Sequence, residues 1–154
     1  MRAYEWSGKQ LLAGAFCAVN ESTWEHMKLL FFPALLFTMI QIAAARERDG
    51  AIPAVRAVSI TAGLLLIPVL YYTYTGILGR HVLWADIAIF YLAAALTFRL
   101  DSRLRRRRRL WEPWQQAAGL LWLWGLAFLF VWWTFRPPHI GLFLDPATGG
   151  YGIA

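Results

Sequence analysis

The stretch NESTWEHMKLLFFP, residues 20–33, places several ionisable side chains directly before a long apolar run. Ser22 is followed three residues later by Glu25, which is the pattern of a capping box at the start of a helix. The sequence therefore predicts a helix that begins near Thr23 and continues through the apolar run to about Ala45.

Three further apolar stretches follow, at residues 54–78, 82–98 and 117–135, and each is long enough to cross a bilayer. The chain is 59% hydrophobic and only 16% charged, which is typical of an integral membrane protein and not of a soluble domain. We predict an all-α fold: one membrane domain, residues 1–154, in which four transmembrane helices form a bundle and a tail follows at residues 136–154.

A shorter apolar stretch, LLAGAFCAV at residues 11–19, is about half the length needed to span a bilayer. We predict that it forms a short interfacial helix before the first span. Cys17 is the only cysteine, so no disulfide can form within the chain. The bulky Phe16 before it argues against a signal-cleavage site, and we interpret Cys17 as a small packed apolar residue.

The basic residues give the expected orientation. Ten of the fifteen lysines and arginines fall in or beside the connections after the first and third spans. They include Arg56, which is counted with the first of these connections, and the run RLRRRRR at residues 103–109. The positive-inside rule therefore predicts a protein of the cytoplasmic (inner) membrane with loop 99–114 in the cytoplasm and the C-terminus outside. The run from Arg103 to Arg109 is expected to contact anionic lipid headgroups, and nucleic acid is not an expected partner.

Polar residues at the start of the first helix are the first candidates for chemistry. On a helix, Glu21, Glu25 and Lys28 share one stripe, and His26 lies beside it. Such a group can bind a metal ion or transfer protons. The alternative is structural: Glu25 closes the capping box on Ser22, and Lys28 extends its ammonium group to the lipid headgroups.

Asp86 lies about one turn into the third span, where a carboxylate is costly and normally has a partner. We predict that it occupies a polar pocket near His26 or Lys28, with tyrosines of YYTYT, residues 71–75, on its wall. The simpler alternative is an ion pair with a basic residue on the same side of the membrane: Lys28, Arg80 or Arg136.

Two functions follow from these candidates. The first is a non-catalytic membrane component (a transport, scaffold or complex subunit) that contacts lipids and belongs to a larger membrane complex or a homo-oligomer. The second is a membrane-embedded, metal-assisted hydrolase of a lipid-like substrate, in which a divalent metal activates water and a carboxylate is the base. Its candidate catalytic residues are Glu21, Glu25, His26 and Asp86, and its candidate metal ligands are His26, His81 and His139.

No closely spaced ligand motif such as HExxH occurs, so a metal site would require residues from different segments to converge. In the tail, the apolar residues 140–144 precede turn residues at Asp145-Pro146 and Gly149-Gly150. We therefore expect the tail to fold back onto the outer ends of the spans.

Three stretches carry a family resemblance: AVNESTWEHMKLLFFP (18–33), YYTYTGILG (71–79) and FRPPHIGLFLDPATGGYG (135–152). They resemble an uncharacterised family of small bacterial multi-pass membrane proteins, a domain of unknown function, and the resemblance covers most of the chain. It implies a bacterial membrane protein but no reaction, substrate or ligand. The family carries one more hydrophobic helix before a segment similar to YEWSG (4–8), so either the true start lies upstream of Met1 or this member is shorter.

Overall fold

The computed structural model describes residues 20–44, 52–106, 112–146 and 148–151. These residues form four helices and a short 3₁₀ turn, Gly141–Phe143; the helices are Thr23–Ala44 (α1), Ile52–Leu78 (α2), Leu83–Arg106 (α3) and Pro113–Phe135 (α4). All four helices are long and apolar enough to cross a membrane, which confirms the predicted all-α membrane fold. The predicted interfacial helix and Cys17 lie outside the described residues.

The chain divides into two compact units. The first combines the chain up to Pro33 with the chain from Trp124 onward, and the second is Ala34–Leu123. The boundaries fall inside α1 and α4, so each of these helices contributes to both units.

The start of α1 uses half of the predicted capping box. The Ser22 Oγ accepts a hydrogen bond of 3.3 Å from the backbone N–H of Glu25, as expected for an N-cap serine. The backbone N–H of Ser22 donates instead to Oδ1 of Asn20, at 3.0 Å. Asn20 thus accepts from the N–H group that a capping box would pair with Glu25.

Helices α2 and α3 pack against each other as antiparallel neighbours. The buried residues of α3 recur every four positions and so form one stripe: Ile89, Ala93, Thr97 and Asp101. Small side chains in such a stripe allow two helices to approach closely. Gly79 directly follows the predicted span 54–78 and ends α2 with a φ of 67°, a left-handed conformation that favours glycine.

Three helix ends differ from the sequence-based boundaries. Helix α3 continues past residue 98 to Arg106, because Asp101 accepts a hydrogen bond of 3.0 Å from Nε of Arg105 one turn later. Helix α4 begins at Pro113, since proline is well suited to the first helical position. Helix α2 begins at Ile52, so Arg56, which the charge count placed in a loop, is a buried helical residue.

The tail folds back within the first unit, as predicted. Phe143 is 3% exposed and packs against Trp24, with ring centroids 4.8 Å apart, and against Trp133 at 5.6 Å. An isolated antiparallel bridge joins Leu144 to Tyr151. The apolar part of the tail thus adds to the core of the first unit.

Candidate functional site

A buried ion pair lies one turn inside α1. The Nζ of Lys28 is 2.7 Å from Oε2 of Glu25, and the two side chains are 0% and 3% exposed. Both groups come from adjacent turns of one helix, so the spacing of three residues brings them together directly. Lys28 therefore does not extend to the headgroups, and that alternative is wrong.

Thr134 of α4 completes this cluster. Lys28 donates a hydrogen bond of 2.8 Å to its Oγ1, which lies 3.2 Å from Oε1 of Glu25 and 2.8 Å from the carbonyl oxygen of Phe130. A hydroxyl has one hydrogen, so Thr134 donates to only one of these two acceptors at a time. Sequence analysis missed Thr134; the available signal was a lone hydroxyl residue in the otherwise apolar end of a span.

Aromatic rings surround the same region of α1. Trp24 lies 4.4 Å from Phe130 and 5.1 Å from Trp133, measured between ring centroids, in addition to its contact with Phe143. Such an apolar shell lowers the local dielectric constant, which strengthens the attraction between Glu25 and Lys28 and raises the cost of leaving either charge alone. The arrangement stabilises α1 against α4.

Glu21 and His26 form a separate, part-exposed pair. Nε2 of His26 is 3.7 Å from Oε2 of Glu21, with the side chains 42% and 47% exposed. Nδ1 of His26 lies 3.0 Å from the carbonyl oxygen of Ser22, which suits a protonated Nδ1 as donor and leaves Nε2 facing Glu21. An exposed pair of this kind contributes little to stability.

Asp86 is held within the second unit. The hydroxyl of Tyr74 donates a hydrogen bond to its Oδ1, and Nδ1 of His81 lies 3.9 Å from its Oδ2. The prediction that tyrosines of residues 71–75 line this carboxylate is confirmed by Tyr74. Both partners lie in the second unit, and Arg80 is not among them. The predicted proximity of Asp86 to His26 or Lys28, and the alternative pairing with Arg136, would join the two units and stay predictions.

Replacing Tyr74 with phenylalanine is expected to lower the free energy of unfolding by about 1.5 kcal/mol, the low end for a hydrogen bond to a charged group. The value is low because the Asp86 side chain is 25% exposed and water can replace the phenol. Thermal unfolding of the purified protein in detergent measures the change. The matched control is Tyr72→Phe, two residues before Tyr74 in the same helix. The Tyr72 side chain is 44% exposed, and its replacement is expected to leave stability unchanged.

The three histidines have separate surroundings. The ring of His139 contacts that of Tyr151 in a tilted arrangement with centroids 4.7 Å apart, whereas His26 contacts Glu21 and His81 contacts Asp86. Among the residues that the structure describes, no three His, Cys, Asp or Glu side chains form a group that could hold a metal ion. The catalytic roles of Glu21, Glu25, His26 and Asp86 remain predictions.

A second buried charge cluster joins α2 and α3. Arg56, 2% exposed, lies with its Nε 3.3 Å from Oδ1 of Asp101, and Arg105 donates to the other oxygen of that carboxylate at 3.0 Å. The sequence did not indicate this cluster, because the charge count assigned Arg56 to the connection before the second span and Asp101 lies beyond the predicted end of the third. The usable signal was the spacing of four residues between Asp101 and Arg105, which favours continuation of the helix.

Comparison with known proteins adds a family but no activity. No curated protein and no solved structure shows a significant match to the chain. A family model described as a family of unknown function, DUF6512, matches residues 2–153. The chain therefore belongs to DUF6512, in agreement with the resemblance found in the sequence.

Proposed function

We propose that the protein is a non-catalytic subunit of a complex in the bacterial cytoplasmic membrane. In this proposal, buried charges hold its helices together, and the exposed face of α3 binds another transmembrane helix.

The single observation that carries the proposal is the position of Tyr91. Its side chain is 67% exposed and lies eight residues into α3, about 12 Å along the helix and so well inside a span. Within the described part of the chain its hydroxyl makes no hydrogen bond. Lipid tails offer no acceptor, and an unbonded hydroxyl in hydrocarbon is costly. A neighbouring transmembrane helix would supply the acceptor.

The residues beside Tyr91 suit such a neighbour. Ala88 and Ala95 are exposed and lie three residues before and four residues after it, on the same face of α3. Small side chains at this spacing let two membrane helices approach closely. In the most apolar 18 residues of α3, only 17% are buried within the chain, against 56% in the corresponding segment of α2. Most of the α3 surface is therefore available for contact with a partner helix.

The carboxylates inside the helices also favour a structural role. Glu25 is paired with Lys28, and Asp86 accepts from Tyr74. Ionisable groups inside a span are costly unless they have partners, and these partners are supplied by the chain itself. A hydrolase would need a bound metal ion or a carboxylate able to act as a base. A metal analysis that finds one ion per purified wild-type chain, and none in the His26→Ala variant, would therefore support the hydrolase.

A photo-crosslinking residue at position 95 tests the proposal. The expected result in intact cells is a discrete adduct, because position 95 would lie within the helix–helix contact. The matched control is the same residue at position 65, where Leu65 is 59% exposed on α2. An adduct of equal yield at both positions, or none at position 95, would contradict the proposed interface.

The orientation is a further prediction. We propose that loop 99–114 lies in the cytoplasm, where its arginine run at residues 103–109 contacts anionic headgroups, and that the C-terminal tail lies outside. In a Cys17→Ala background, Ile140→Cys should react with a membrane-impermeant maleimide in intact cells, whereas Glu112→Cys should react only after lysis. Labelling of position 112 from outside would reverse the assignment.

A further inference from the structure

Two guanidinium groups converge on one neutral oxygen at the cluster that joins α2 and α3. Nη2 of Arg56 donates a hydrogen bond of 2.8 Å to Oε1 of Gln41, and Nη2 of Arg105 donates to the same oxygen at 3.2 Å. The side chain that accepts both bonds is an uncharged amide. An anionic oxygen at this position would bind two guanidinium groups considerably more strongly than an amide oxygen does.

Arg56 also has unused donors. Its side chain is 2% exposed, yet its Nε and Nη1 make no hydrogen bond. Nε contacts Asp101 only as an ion pair at 3.3 Å, and Oδ1 of that carboxylate likewise makes no hydrogen bond. Buried polar atoms in native proteins are nearly always paired, so Nη1, which has no acceptor near it among the described contacts, points to a missing one.

The surroundings of Arg56 restrict where the acceptor can lie. The guanidinium carbon is 5.2 Å from the centre of the Phe37 ring, so an aromatic side chain lies over the guanidinium group. An added acceptor must therefore approach in the plane of the guanidinium group, which is the geometry in which phosphate oxygens bind arginine. Gln41 and Arg105 are only partly buried, so they form the accessible side of the site, with Arg56 at its floor.

All three residues lie near helix ends. Gln41 is three residues from the end of α1, Arg56 is four residues from the start of α2, and Arg105 is the last but one residue of α3. Each is therefore within about 6 Å of a helix end, at 1.5 Å per residue. Lipid phosphates occupy this level of a bilayer.

We infer that Arg56, Arg105 and Gln41 form a binding site for a phosphate group, supplied by an anionic lipid or by free phosphate. The phosphate displaces the amide of Gln41, accepts from both guanidinium groups and reaches the unused Nη1 of Arg56. The site deepens the headgroup contact proposed above and rests on it. The headgroup contact involves the whole arginine run, whereas this site depends on one residue of the run, Arg105.

Thermal unfolding of delipidated protein in neutral detergent tests the site. Added phosphatidic acid is expected to raise the midpoint by about 4 °C or more, and phosphatidylcholine to leave it unchanged. Arg105→Gln should lose most of this shift. Arg103→Gln is the matched control, because Arg103 is exposed on the same helix and carries the same charge. It should keep nearly the full shift.

Gln41→Glu provides a second test that does not depend on weakening the protein. It places a carboxylate where the phosphate oxygen would bind, so the midpoint should rise without lipid and the response to phosphatidic acid should disappear. A Gln41→Glu protein that still responds like the wild type would overturn the site.

Further comparisons identify the source of the phosphate and distinguish a discrete site from a diffuse headgroup contact. If millimolar inorganic phosphate reproduces the shift, the site binds free phosphate; if only phosphatidic acid does, it binds a lipid. Equal loss of response in Arg103→Gln and Arg105→Gln overturns the site and leaves a diffuse headgroup contact. Absence of any response in the wild type overturns both.

Discussion

Replacing Lys28 with methionine is expected to lower the free energy of unfolding by about 3–5 kcal/mol, the cost of breaking a buried ion pair by removing one partner. The loss arises because Glu25, only 3% exposed, keeps a buried charge whose counter-ion 2.7 Å away has gone. Denaturant or thermal unfolding in detergent measures the change.

Two further variants identify the cause. The double variant Glu25→Leu/Lys28→Met is expected to recover most of the lost stability, because a matched apolar pair often replaces a buried ion pair without loss. Leu29→Met is the control: the side chain is 43% exposed, and the change should stay within about 0.5 kcal/mol. A double variant as unstable as Lys28→Met alone would show that the pair is not the cause.

Gly119→Ala is expected to destabilise the protein by about 3 kcal/mol, near the upper end for overpacking. A Cβ added at Gly119 would lie 2.6 Å from Cα and 2.7 Å from the backbone N of Ala54 in α2. The neighbouring atoms are backbone, so no side-chain rotation can relieve the contact, and α2 and α4 must move apart. Unfolding of the purified variant measures the loss.

Gly125→Ala is the matched control, since it makes the same change in the same helix. A Cβ at Gly125 has no atom within 4 Å, and alanine favours a helix over glycine by about 1 kcal/mol. Its stability should therefore be equal to or higher than that of the wild type. If both glycine substitutions behave alike, the close approach at Gly119 is not what positions α4.

The sequence predicted the features that depend on local pattern. Four spans follow from apolar runs, the start of α1 follows from Ser22, and the end of α2 follows from the end of its apolar run at residue 78. The fold-back of the tail follows from its apolar residues, among them Phe143. Each of these signals is contained within a few consecutive residues, so no knowledge of helix packing is needed to use it.

The polar contacts between helices could not be predicted in the same way. Thr134 joins Glu25 and Lys28 across more than one hundred residues, and Arg56 meets Asp101 across forty-five. Because Arg56 and Asp101 are charged and lie near other charged residues in the sequence, both were expected in the connections between spans. Because each charge has a partner in the folded chain, it is tolerated inside a helix, and hydropathy alone cannot show this.

The mass of the native particle is the most direct measurement of the proposed complex. After extraction in mild detergent, the wild-type protein should run in a particle whose protein mass exceeds the 17.6 kDa of one chain. Ala88→Leu/Ala95→Leu should reduce that mass to the monomer while preserving thermal stability, because both positions are exposed within the chain and larger side chains would block only a partner helix. A wild-type particle with the mass of one chain, or a double variant that keeps the larger mass, would contradict the account.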